Sequence, residues 1–182
     1  LGFLFRVVAS AESIHAERLA AVVGELNGRS SWRLESVVVR GTAQNLKTSV
    51  DLELWELDRV YPRFADYARE ECLYEALATI NYARGAEATH AAMFARTLEG
   101  LDREVGSPRM AQASLQALAQ ASPAGTASTY YLCTGDGSVF PSPVRHSCPN
   151  CGTRGSRILA LVCTTGDRWA SVGDGFHQVA SP

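Results

Sequence analysis

Apolar residues recur at spacings of three and four through residues 1–125, the period of helices that bury one face. In the first segment the stripe reads Leu1, Leu4, Phe5, Val8, Leu19, Val22 and Leu26. In the second it reads Leu46, Val50, Val60 and Phe64, and in the third Ala76, Ile80, Ala83, Phe94 and Leu98. The pattern predicts a helix over residues 2–26, stopped near Asn27-Gly28, and a second from about Thr42 to Arg69. Thr42 is the expected N-cap and Pro62 the expected kink. A third helix runs from about Glu71 to Glu104, with Cys72 on it as a small core residue. Gly85 lowers that helix's stability and suits the close approach of a neighbouring helix. Residues 29–41 form a polar connection holding the short run Val37-Val38-Val39. Gly106-Ser107-Pro108 punctuates, Arg109–Ala121 predicts a short alanine-rich helix, and Ser122-Pro123-Ala124-Gly125 ends the helical region. From Ser128 on, Gly, Ser, Thr, Val and Cys dominate and the helical period is lost. The chain therefore divides into a helix bundle, residues 1–125, and a small second region with its tail, residues 126–182.

Each apolar stripe is interrupted by ionisable groups. Glu12 and His15 sit inside the first, Glu53 and Glu56 inside the second, and Glu87 and His90 inside the third. A single Glu-x-x-His is ordinarily a surface pair or a satisfied core histidine. Three such sets, each on the buried face of its own helix, have a different meaning, because uncompensated charge in an apolar core is costly. Four carboxylates and two imidazoles converging in one core suit a pair of metal ions. The oxygen-rich donor set favours iron or manganese, with zinc as an alternative.

The 182 residues and net charge of −2 change this picture little. They offer no basic footprint for nucleic acid or an anionic membrane, and no apolar run reaches the length of a membrane span. The opening Leu-Gly-Phe-Leu-Phe-Arg is not a secretory signal but part of an amphipathic pattern, so a cytoplasmic location is expected. That start, without Met or helix cap, leads us to expect a segment upstream.

Four of the five cysteines, Cys133, Cys148, Cys151 and Cys163, fall in the second region. Cys148-Pro-Asn-Cys151-Gly152 alone is compatible with a redox dithiol, a disulfide or half a metal site. Cys133-Thr-Gly-Asp136-Gly137 upstream has the frame of a facing knuckle, with Asp136 where a second cysteine is expected. A metal ribbon is the better reading.

The chain resembles the rubrerythrins, which join a ferritin-like di-iron bundle to a rubredoxin-like iron ribbon. The resemblance is carried by Phe5-Arg6-Val7-Val8-Ala9 and Ala11 to Arg18, by Asn45-Leu46, and by Glu53-x-x-Glu56 with Tyr61-Pro62-Arg63-Phe64-Ala65. Ala68-Arg69-Glu70-Glu71, Ala86 to His90, and Phe94 extend it. It implies that Glu12, Glu53 and Glu87 are metal-binding carboxylates and that His90 is the imidazole ligand of one iron. Glu56 and His15 would be the alternative ligands between which the other iron moves. Tyr61 would hydrogen-bond the carboxylates, its plainer reading being a packing aromatic. Cys133, Cys148 and Cys151 would be three ribbon thiolates.

The resemblance implies two irons in the bundle, one iron or zinc in the ribbon, a homodimer, and an electron-donor protein as partner. The activity implied is reduction of hydrogen peroxide to water. Ferroxidase or oxidase chemistry with dioxygen, or a non-catalytic protein with structural metal sites, are the rival readings. Two departures stand out. The family's first bundle helix has no counterpart here, so an upstream segment, the 109–121 helix or a partner chain is expected to cover the open side. Asp136, His146 or Cys163 would complete the ribbon site, with Asp136 first because it is in frame, which weakens the case for electron delivery through the ribbon.

Overall fold

The computed structural model describes residues 1–31, 36–105, 129–163 and 169–172. The chain is mainly helical, with α1 Gly2–Glu25, α2 Thr42–Trp55, α3 Tyr61–Glu70 and α4 Tyr74–Val105. A small antiparallel sheet follows, built from β1 Thr129–Cys133, β2 Val139–Phe140, β3 Ile158–Cys163 and β4 Trp169–Val172 in the order β2-β1-β3-β4. The predicted 109–121 helix and the 122–125 stop lie outside the described residues. Among the described residues no helix is long and apolar enough to cross a membrane.

Asn27 ends α1 as expected: it adopts φ 57°, and the Gly28 N–H bonds the Val23 carbonyl at 2.8 Å while its own N–H bonds Gly24. That paired closure satisfies carbonyls the helix would otherwise leave open. At the start of α2 the N-cap is Gly41, not Thr42, and no side chain caps it. Val37, Val38 and Val39 are exposed.

The second helix is not continuous. Residues Glu56–Val60 form a π-helical turn between α2 and α3. Pro62, at the first turn of α3, has no N–H to give and crowds the carbonyl four residues back, and the chain widens upstream of it. Arg84 Nε donates to the Leu57 carbonyl in that turn at 2.9 Å. The extra residue per turn shifts the helical phase. Tyr61, Ala65 and Ala68 are buried where an unbroken helix would have turned in Val60 and Phe64, and Phe64 is exposed instead.

A turn with Cys72 at φ 57° separates α3 from α4, closed by Leu73 N–H to the Ala68 carbonyl at 2.8 Å. Cys72 is therefore an exposed turn residue, not a core residue on a helix, and α4 starts at Tyr74 rather than near Glu71.

Two apolar clusters form the interior. One joins Phe3, Leu4, Val7, Val8 and Ala11 of α1 to Leu46, to Met93, Phe94 and Leu98 of α4, and to Tyr130, Leu132, Val139 and Leu161 of the sheet. The ribbon thus shares a core with the bundle, and the Phe3 and Tyr130 rings lie 5.6 Å apart. The other cluster packs Tyr61, Ala65 and Ala68 of α3 against Ala76, Ile80 and Ala83 of α4. Between the two, along all three helical rods, lies the layer holding Glu12, His15, Glu53, Glu87 and His90. Hydrophobic burial on both sides fixes the layer, from whose edge the Glu12 side chain remains 41% exposed.

Candidate metal centres

Helical spacing sets each pair on one side of its rod, and the packing of α1, α2 and α4 brings the pairs together. Ligand atoms of Glu12, Glu53, Glu87 and His90 all lie within 4.8 Å of one another. His15 adjoins them, with Nδ1 3.1 Å from Glu12 Oε2 and 3.1 Å from Glu87 Oε1. His90 Nδ1 faces Glu87 Oε2 at 2.9 Å, Glu12 Oε1 at 3.0 Å and Glu53 Oε2 at 3.5 Å. Glu56, on the π-turn, is partly buried and stands outside the tight group of four. The structure therefore gathers five of the six bundle groups closely and leaves the sixth at the edge.

Several of these atoms have no ordinary partner. Glu12 Oε1, Glu53 Oε2, both Glu87 oxygens and His90 Nδ1 are buried without a hydrogen bond. Buried polar atoms are rarely left so, and each costs about 1–3 kcal/mol. Anionic oxygens and an imidazole nitrogen aimed at one point fit one or two divalent cations.

Protonation shows the same pressure. Burial opposes charge on His15, yet its contacts with Glu12 and Glu87 raise its pKa to about 10. Burial also opposes charge on His90, which the Glu12, Glu53 and Glu87 carboxylates nonetheless raise well above the usual value. Glu87 and Glu12, resisted by burial but held by the two imidazoles, are lowered. Burial lifts Glu53 to about 7, and burial with the charges of Glu87 and Glu12 lifts Glu56 to about 7. Protons balance the layer's charge here, and metal cations would displace them. Burial, followed by the Glu87 charge, raises the Tyr61 phenol far above its usual range, so it keeps its proton beside that carboxylate.

Both imidazoles are held from behind by the ribbon. His15 Nε2 bonds the Asp136 carbonyl at 2.8 Å and His90 Nε2 bonds the Gly137 carbonyl at 2.9 Å. A carbonyl only accepts, so both Nε2 atoms carry hydrogen and both Nδ1 atoms are turned to the carboxylates. Gly137, at φ 78°, allows this approach: a Cβ there would lie 2.5 Å from His15 Nε2. Gly85 likewise leaves room for a partner, but the partner is the Asn150 amide of the ribbon rather than another helix. Asn150 Nδ2 donates to the Tyr82 carbonyl at 2.8 Å, and the Val139 N–H donates to Thr89 Oγ1 at 3.0 Å. These ribbon contacts escaped the sequence. A backbone carbonyl carries no residue signature, although Gly137 and the asparagine inside the knuckle were visible markers.

In the ribbon, ligand atoms of Cys133, Asp136, Cys148 and Cys151 also lie within 4.8 Å of one another. Cys133 Sγ and Cys151 Sγ are 3.7 Å apart, and Cys148 Sγ is 3.4 and 3.7 Å from the two Asp136 oxygens. A tetrahedral ion with thiolates at about 2.3 Å and an oxygen at about 2.0 Å needs ligand separations of roughly 3.8 and 3.5 Å. The donor set fits such an ion. Cys163 ends β3 opposite Trp169, whereas Cys133 pairs with Ile158 at the other end of that strand. Those five residues correspond to about 17 Å of strand. His146 is exposed.

Burial opposes ionisation of Asp136, but the Ser138 N–H and the neighbouring thiols hold its carboxyl below the usual range. Burial, with the Asp136 charge, raises Cys133.

Residues 2–98 match the family model described as Rubrerythrin. Three solved structures of nigerythrin, in the fully reduced (all ferrous), partially reduced and mixed-valent states, share the fold at 22% identity. They cover 87% of this chain and 68% of theirs, with TM-scores of 0.67, 0.67 and 0.64. No curated protein matches the chain.

Proposed function

Since this chain belongs to the rubrerythrin family, we propose that it is a di-iron oxidoreductase that reduces hydrogen peroxide to water. Family membership supports the oxidoreductase and the choice of iron, and peroxide is our reading of the site. One observation carries it: a layer of carboxylates and imidazoles, set between two apolar clusters, with five buried ligand atoms lacking any hydrogen-bond partner.

Cleaving the O–O bond of hydrogen peroxide to two waters consumes two electrons and two protons. A bound pair of ferrous ions supplies the electrons, one from each. The protein's residues do the rest. Glu12, Glu53, Glu87 and His90 hold the metals, and the two Nε2–H bonds to the ribbon keep both imidazoles aimed inward. His15 and Glu56 serve as exchangeable ligands, His15 from beside the group of four and Glu56 from the π-turn at its edge. Tyr61 retains a phenolic proton next to Glu87 and would donate a hydrogen bond at the reacting oxygen. Glu87 and both imidazoles are buried away from bulk water. In this reading residues 1–125 supply the di-iron centre and residues 126–182 the ribbon site. A homodimeric assembly, a separate electron-donor protein and a cytoplasmic location complete it.

The test is anaerobic. Protein loaded with ferrous iron is mixed rapidly with about one equivalent of hydrogen peroxide or with dioxygen, and the rise of ferric absorption is followed. Peroxide should oxidise the pair faster, because it needs only the two stored electrons. Faster oxidation by dioxygen would replace this reading with the oxidase one.

A further inference from the structure

Asp136 takes part in both centres at once. Its carboxylate lies in the ribbon donor set with Cys133, Cys148 and Cys151, and its backbone carbonyl accepts the His15 Nε2–H. The next carbonyl, that of Gly137, accepts from His90. The residue is almost fully buried, and its two oxygens take the Ser138 N–H at 2.9 Å and the Asn150 amide at 2.7 Å. Gly137 N–H closes the turn on the Cys133 carbonyl at 2.9 Å. The side chain that completes the ribbon site thus sits on the same short turn as the two carbonyls that orient the bundle imidazoles.

Three sulfurs and one hard carboxylate oxygen, with no position left open, form the donor set of a closed structural site. We propose that Cys133, Asp136, Cys148 and Cys151 bind one zinc-type divalent ion, and that this ion locks the Asp136-Gly137 turn against His15 and His90. Asp136 is then a positioning residue for the bundle, acting through the two histidines. Without the ion, the Asp136 carboxylate faces the three sulfurs, and the turn is held by the Ser138 and Asn150 contacts and by the Gly137 N–H to the Cys133 carbonyl. With it, the turn is tied to β1 and to the Cys148–Cys151 knuckle. The consequence for bundle chemistry rests on the functional reading above. The locking does not.

Full-length protein carrying one equivalent of zinc tests both parts. X-ray absorption at the zinc edge should show three sulfur neighbours and one oxygen, and four sulfurs in Asp136→Cys. Four sulfurs in the unaltered protein, or fewer than three, would overturn the donor set. Nitrogen-15 labelling of histidine then reports exchange of the His15 and His90 Nε2–H protons. Chelating the zinc, or introducing Cys151→Ser, should speed that exchange at least tenfold, and Asp136→Cys, which keeps the ion, should retain the slow exchange. Exchange within twofold of the zinc-loaded protein after chelation would overturn the locking. If iron fails to load the bundle while histidine protection still follows the ribbon zinc, the peroxidase reading falls and this one stands.

Discussion

His15 and Asp136, 121 residues apart in the chain, are joined by a 2.8 Å hydrogen bond from an imidazole N–H to a backbone carbonyl. The bond fixes which ring nitrogen His15 turns toward Glu12 and Glu87, and so what the bundle can bind. Because the accepting residue also belongs to the ribbon's donor set, the two centres share one turn. The helices place the carboxylates and imidazoles, and the ribbon orients the two imidazoles.

Glu53→Ala removes a carboxylate that burial holds at a pKa of about 7. In metal-free protein the change should leave the melting temperature unchanged or raise it, because a poorly solvated acid is lost. With metal present it should lower bundle metal content by about half or more and abolish metal-dependent stabilisation. Metal analysis and thermal melts with and without ferrous iron check both halves. Unchanged metal content would remove Glu53 from the ligand set.

The metal-free protein should lose stability as pH rises from about 5 to 10. Glu53 and Glu56, ordinarily 4.5, titrate near 7 in the fold, so the folded state binds more protons than the unfolded chain between those values. Stability therefore falls as pH rises through that window. His15, raised to about 10 from 6.5, contributes stability that is whole below 6.5 and is lost as pH climbs through 10. The combined loss should be at most on the order of 10 kcal/mol, and less once the partial exposure of Glu56 is discounted. Urea melts across this range measure it. Added ferrous or zinc ion should reverse the trend, since metal binds the deprotonated ligands.

Gly137→Ala should destabilise the protein by about 2–3 kcal/mol, because a side chain at positive φ is strained and its Cβ would collide with His15 and the Ala11 carbonyl. Gly85→Ala gains about 1 kcal/mol of helix propensity but pushes the Asn150 amide off the Tyr82 carbonyl and Asp136, so it should still destabilise, by less than Gly137→Ala. Chemical denaturation of the two variants side by side separates the cases. Equal effects would mean that the ribbon does not sit on the bundle in this way.

Tyr61→Phe deletes one hydroxyl and leaves the buried ring. Metal content should be retained and stability lowered by about 1 kcal/mol. Peroxide-driven oxidation of the ferrous protein should slow on the order of tenfold or more if the phenol donates to the reacting oxygen. An unchanged rate would return Tyr61 to the plainer role of packing aromatic.

The helical periods, the placement of Glu12, His15, Glu53, Glu87 and His90 on buried faces, and the paired knuckles of the ribbon were all legible in the sequence. Each depends on spacings of a few residues, and local backbone geometry converts such spacings directly into direction. What lay beyond the sequence was decided by contacts between distant segments. Pro62 marked a distortion, but the π-turn that replaces Val60 and Phe64 with Tyr61, Ala65 and Ala68 follows from how α3 packs on α4, with Arg84 holding the Leu57 carbonyl. Cys72 looked like core until the α3–α4 junction left it in a left-handed turn. Gly85 announced a close approach without saying what approaches. The carbonyls of Asp136 and Gly137 announced nothing, because every residue carries the same carbonyl group and only the folded chain selects which of them meets a histidine.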